Sequence, residues 1–139
     1  MKTLLVGIAS YKTMKKRTLE IARGERKVKR DEPKVWFTSV ESFAKVLSDR
    51  NRTLMELIRA HHPESLAELA ELSGRKKSNL SRTLKTMEHY GLVSLKEGPR
   101  GSVIPYVPYS RIELNLSLAQ GNEVISKNDS GHAVAGGRR

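Results

Sequence analysis

The run Lys76-Lys77-Ser78-Asn79-Leu80-Ser81-Arg82-Thr83-Leu84-Lys85-Thr86-Met87 gathers hydroxyl, amide, guanidinium and ammonium groups around an apolar stripe. Leu80, Leu84 and Met87 recur at spacings of four and three, which predicts a helix with one buried side. At about 100° per residue, with that stripe near 0°, Ser78 falls at about 160°, Lys85 at about 140°, His89 at about 180° and Arg82 at about 200°. Ser81 and Thr86 flank this face, and Lys76 and Lys77 stand at the helix start. No carboxylate occurs in the helix before Glu88. A helix face that only meets water usually alternates in sign. One that carries only donors and cations can hydrogen-bond base edges and grip phosphates, with Arg suited to guanine and Ser or Thr to several partners. Lys76, Lys77, Ser78, Asn79, Ser81, Arg82, Lys85 and Thr86 are therefore candidate contacts to double-stranded DNA.

Such a helix needs a partner that sets its angle. Ser65 with Glu68 makes a capping box ahead of Leu66-Ala67-Glu68-Leu69-Ala70-Glu71-Leu72, and Ser73-Gly74 closes that short helix. Two helices joined by a glycine-containing turn are the helix-turn-helix pattern. Beyond Gly91, Val93-Ser94-Leu95-Lys96 predicts a strand, Glu97 to Ser102 a turn, and Val103-Ile104-Pro105-Tyr106-Val107 a returning strand: a β-wing. Lys96 and Arg100 flank its tip and are candidate backbone or minor-groove contacts, with Arg111 a weaker one beyond. Pro105 and Pro108 restrict the return strand to an edge or a short stretch.

Residues 66–93, with their Ser81-Arg82 pair and the Leu84, Met87-Glu88, Gly91-Leu92-Val93 series, resemble the helix-turn-helix and first wing strand of MarR-type and ArsR-type winged-helix transcription regulators. Over about residues 20–118, the Arg23-Gly24-Glu25 arm, the Trp36-Phe37-Thr38 segment and the Gly74 to Arg82 stretch resemble a family of short archaeal and bacterial DNA-binding proteins that includes TumA-type antitoxins. The resemblance implies a winged-helix regulator that also binds a toxin protein.

The 139 residues carry 26 Lys and Arg against 15 Asp and Glu, a formal net charge of +11, and no Cys. That balance points to a polyanionic partner, and the missing cysteine excludes disulfides, thiolate metal sites and cysteine nucleophiles. The surplus is concentrated in residues 1–30, whose ten bases and two acids make +8. Tyr11, Met14, Ile21 and Ala22 recur there at helical spacing, so the arm over residues 1–32 is read as a strand and a basic amphipathic helix that contacts DNA, a partner or the dimer mate. Lys15, Lys16 and Arg17 are its candidate phosphate contacts. Membrane-surface binding is disfavoured, since the apolar side lacks Trp and Phe. Leu4 to Ala9 is too short for a secretory core of roughly 7–15 residues, which leads to the expectation of a cytoplasmic, nucleoid-associated protein.

Glu32-Pro33 marks the boundary of a domain over residues 33–118. Val35-Trp36-Phe37-Thr38 is a short strand or docking segment with Trp36 in the core, Thr38 with Glu41 a capping box, and Leu54, Leu57 and Ile58 a scaffold helix that stops at Pro63. Ile112, Leu114, Leu116 and Leu118 alternate with polar residues, so one side of that strand must be covered. Leu4 to Ile8 is its natural partner, and dimers reading two half-sites are the common solution for small helix-turn-helix modules. The expectation is therefore a homodimer whose interface uses the terminal strands and the arm helix, with intrachain pairing in a monomer as the alternative. Residues 119–139 read as a disordered tail.

No catalytic constellation is present. Gly74 to Ser78 is no Walker loop, because Leu69 stands five before Gly74, and His61-His62 lack a third ligand. The expectation is therefore an α+β, homodimeric winged helix-turn-helix protein without enzyme activity, metal or cofactor. Its partner would be an operator in its own promoter, with a cognate toxin protein as a further partner. The alternatives are a toxin-neutralising protein without strong operator specificity and a ligand-responsive MarR-like repressor. RNA recognition is disfavoured because Trp36 and Phe37 are expected in the core rather than as stacking platforms.

Overall fold

The computed structural model describes residues 2–118, and the expected tail lies outside them. The chain is α+β, and its secondary structure follows from local signals. Strand β1 (Thr3–Ile8) leads to helix α1 (Tyr11–Ala22), strand β2 (Val35–Phe37), and helices α2 (Val40–Val46), α3 (Asp49–His61), α4 (Leu66–Ser73) and α5 (Lys77–His89). Strands β3 (Ser94–Glu97), β4 (Val103–Tyr106) and β5 (Arg111–Asn115) follow. Serine hydroxyls cap the first four helices: Ser10, Ser39, Ser48 and Ser65 each accept from the backbone N–H three residues on.

Two caps differ from the expected boxes. The start of α2 is capped by Ser39 rather than Thr38, because β2 runs through Phe37 and only Ser39 has the extended backbone that aims its hydroxyl back at Ser42 N. Ser42, rather than Glu41, returns the bond by accepting from Ser39 N at 3.2 Å. At α4, Glu68 reaches past the cap and accepts from Glu64 N. Gly74 ends α4 at φ 72, the left-handed conformation expected of it.

The strands make two sheets. In the larger, with order β2-β1-β5, β1 is central and parallel to both neighbours. The terminal strands, expected to form a dimer interface with the arm helix, instead pair within one chain, because β1 lies between β2 and β5 with Leu4 beside Ile112 and Val6 beside Leu114. Alternation sends Leu4 and Val6 to one side of this sheet, where they join Phe37, Leu54, Ile58, Leu69, Leu80, Leu84 and Met87 in one core. Leu5 and Gly7 point to the other side, where the Trp36 ring lies on Gly7. The arm expected as a unit therefore divides: β1 is built into the core, whereas α1 has no buried residue. The apolar row that continues past β5 is only partly covered, with Leu116 44% and Leu118 90% exposed.

The smaller sheet is the antiparallel hairpin β3-β4, with Lys96 opposite Ile104. Val107 leaves the return strand, is buried in the core, and accepts from Arg59 Nη1 through its carbonyl. No helix among the described residues is long and apolar enough to cross a membrane.

Candidate nucleic-acid interface

Helix α5 packs its expected stripe inward: Leu80, Leu84 and Met87 are buried, with Leu69 of α4 in the same core. The opposite face is open to solvent, and Ser78, Arg82, Lys85 and His89 are exposed along it. Lys76, Lys77 and Thr86 are exposed as well, and Ser81 is half-buried on one flank. The carboxylate-free face read from the sequence is thus the solvent face of the folded chain.

The start of α5 is chemically unusual. Its N-cap is Lys76, and no side chain caps its first turn, in contrast to the four serine-capped helices. Free N–H groups and the positive end of the helix dipole meet two ammonium groups there, Lys76 and Lys77. This arrangement costs helix stability in isolation, since an anion rather than a cation is favoured at a helix start. A phosphate placed there would receive backbone N–H groups and offset the like-charge repulsion.

Asn79 does not belong to the open face. Arg75, in the turn between α4 and α5, donates from Nε to Asn79 Oδ1 (2.9 Å), from Nη1 to Asn51 Oδ1 (3.1 Å) and from Nη2 to Thr83 Oγ1 (3.1 Å). Asn51, on α3, donates in turn to the Val46 carbonyl. One guanidinium therefore joins α3 to the first two turns of α5. Burial, and secondly the neighbouring Arg50, lowers the Arg75 pKa from its ordinary value. The sequence reading missed this residue because its acceptors lie on one helix 24 positions upstream and on the flank of another. The only signal was a polar Asn and Thr on the α5 flank nearest the apolar stripe. Tyr90, just past α5, stacks on Phe37 at 4.3 Å and ties the helix end to β2.

The hairpin stands beside α5 in the chain and contacts it through β3. Its turn is closed by Gly98 N donating to Ser102 O at 2.7 Å. A Cβ at Gly98 would lie 2.6 Å from Ser102 Oγ and 2.9 Å from Ile104 Cδ1, so a larger residue there would force both side chains to move. Arg100 occupies the tip in the left-handed region, φ 59, with its side chain exposed. Lys96 lies with Nζ 5.4 Å above the Tyr106 ring, a cation–π contact on the exposed hairpin.

The arm residues separate. Lys15 and Lys16 are exposed on α1. Arg17 is turned inward: it forms an ion pair with Glu32, the two side chains being 15% and 8% exposed, and its guanidinium covers Trp36 at 5.2 Å. Arg17 is thus withdrawn from the phosphate candidates, because the sheet side of α1 offers it a carboxylate and an indole. Trp36, expected in the core, is half-buried against Gly7 and Arg17 on the outer side of the sheet, whereas Phe37 is fully buried. Arg111, at the start of β5, is paired with Glu113 at 2.9 Å. Among the described residues, no three His, Asp or Glu side chains cluster to hold a metal ion.

Residues 46–114 match the model of a protein family designated HVO_A0114. The match runs from the last residue of α2 into β5, and so takes in α5 and the hairpin but neither β1, α1 nor β2. No curated protein and no solved structure matches the chain.

Proposed function

We propose that the protein is a sequence-specific double-stranded DNA-binding regulator of winged-helix type, with α5 as the recognition helix and the β3-β4 hairpin as the wing. The observation that carries this reading is the open face of α5, where Ser78, Arg82 and Lys85 stand exposed without a carboxylate among them. In the groove, Arg82 would address a guanine edge, Ser78 and Ser81 would adapt to several bases, and Lys85 would hold phosphate. The uncapped start of α5, with Lys76 and Lys77, would dock a backbone phosphate. Lys96 and Arg100 would hold the flanking backbone or minor groove.

A lone recognition helix reads few base pairs, so the reading includes a dimer on two half-sites about 34–36 Å apart. The exposed Leu114, Leu116 and Leu118 at the β5 edge supply an apolar row that a second copy would cover. The antitoxin role rests on the resemblance to TumA-type proteins. It is tested by co-expression with the adjacent open reading frame, where a growth-arresting neighbour rescued by this protein supports it and a harmless neighbour leaves the regulator alone.

Footprinting on the DNA upstream of its own coding sequence, at two salt concentrations, tests the main reading. Protection of two related half-sites one helical turn apart is the expected result. Uniform protection without preferred sites would refute sequence-specific reading.

A further inference from the structure

Helix α1 presents a second basic surface on the far side of the sheet from α5. Leu4 and Val6 of β1 face the core that contains Leu80, Leu84 and Met87 of α5, whereas Gly7 faces the opposite side under Trp36. Arg17 of α1 covers Trp36, which puts α1 on that opposite side. Its inward residues Thr13, Met14, Arg17, Glu20 and Ile21 are half-buried. The outward stripe is Lys12, Lys15, Lys16, Leu19 and Arg23, all exposed.

This stripe is not neutralised along its length. Glu20 is engaged by Arg26 at 3.1 Å, and Arg17 spends its charge on Glu32. Lys12, Lys15, Lys16 and Arg23 line a shallow open depression together with Leu19, Glu20 and Glu25, so cations outnumber carboxylates there by four to two, and Glu20 is already paired with Arg26. From Lys12 to Arg23 the helix rises about 16 Å. Backbone phosphates advance about 3.4 Å along the axis per strand, so four cations over that length match a short run of them. A lipid surface is a poorer fit, because the large apolar side chains exposed on α1 are only Leu19 and, at the helix start, Tyr11.

We infer that the outward face of α1 binds the phosphate backbone of a second DNA segment, so that one molecule with α5 seated on its operator bridges two duplexes. The inference rests on the reading of α5 as the operator-binding helix. Two helices on opposite sides of one sheet, each facing away from it, do not lay those faces on one short straight duplex. The second segment would be held without regard to sequence and with strong salt dependence. For four neutralised phosphates, capture would fall by about two orders of magnitude between 50 and 200 mM salt.

The test uses the full chain on an immobilised upstream duplex, with a fluorescent duplex of unrelated sequence as the probe in solution. Wild type is expected to capture the probe. The K12E/K15E/K16E variant should still bind the immobilised duplex, which shows that it is folded, but lose at least tenfold in probe capture. The R82A/K85A variant should lose the immobilised duplex itself. Equal capture by wild type and K12E/K15E/K16E overturns the inference, as does operator binding by wild type without capture. Failure of wild type to bind the upstream duplex instead overturns the reading of α5, and the inference with it. Preferential capture of a structured RNA or of phosphatidylserine vesicles over duplex DNA also overturns it.

Discussion

Neighbouring cations on α1 have opposite structural roles. Arg17 sits in a buried pair with Glu32, so removing it strands a carboxylate away from water. Arg17→Ala is expected to lower the unfolding free energy by about 3 kcal/mol in urea titrations, whereas Lys15→Ala should leave the midpoint unchanged. At the turn into α5 the contrast is between Arg82, which is exposed on the helix, and Arg75, which precedes it and is consumed by three acceptors within the protein. Arg82→Ala should cost about 1–3 kcal/mol of operator binding and relax sequence choice at one base pair, read by gel-shift titration against single-base operator variants. An unchanged preference at every position would sink the proposed docking. The exposure of Arg82 was legible from its angle on the helical wheel. The roles of Arg75 and Arg17 were not, because each is set by a carboxylate or amide that only the folded chain brings near.

Among the helices, α5 breaks a rule the other four obey. A serine hydroxyl at its N-cap would bind the free N–H groups that Lys76 leaves open. Lys76→Ser should therefore stabilise the protein by about 1 kcal/mol and at the same time weaken DNA binding, two effects of opposite sign measured on one variant. Loss of stability, or unchanged binding, would contradict the phosphate role of this helix start. The hairpin makes a different prediction. Lys96→Ala should weaken binding to all sequences alike and reduce the slope of log affinity against log salt by about one, measured on operator and random duplexes. The succession of α4, the Gly74 turn and α5 and both hairpin strands were legible because Ser65, Gly74, Gly91 and the Gly98 turn are local signals. The cap of α2 was displaced by one residue, since Thr38 and Ser39 are chemically equivalent as caps and only the end of β2 distinguishes them.

At the scale of the molecule, β1 joins the two ends of the described chain. It pairs with β2 on one side and with β5 on the other, and its Gly7 lets Trp36 close over the sheet. A Cβ at Gly7 would meet Trp36 Cζ3 at 2.6 Å and Pro33 Cγ at 3.0 Å. Gly7→Ala should therefore cost about 1–3 kcal/mol of stability through overpacking, visible as a lower urea midpoint, and loosen α1 from the sheet. A midpoint equal to wild type would mean that the Trp36 ring yields freely. The amino-acid sequence by itself determined the α4-α5 turn, the donor-rich face of α5, the hairpin after it and the basic character of α1. Those features follow from residue periodicity, glycine conformation and local hydrogen bonding within a few positions. Only the tertiary structure decided that β1 pairs within its own chain, that Arg17 and Asn79 are spent on internal partners, and that α1 and α5 lie on opposite sides of one sheet. Each of these depends on contacts between residues distant in sequence, for which side-chain type alone carries no address.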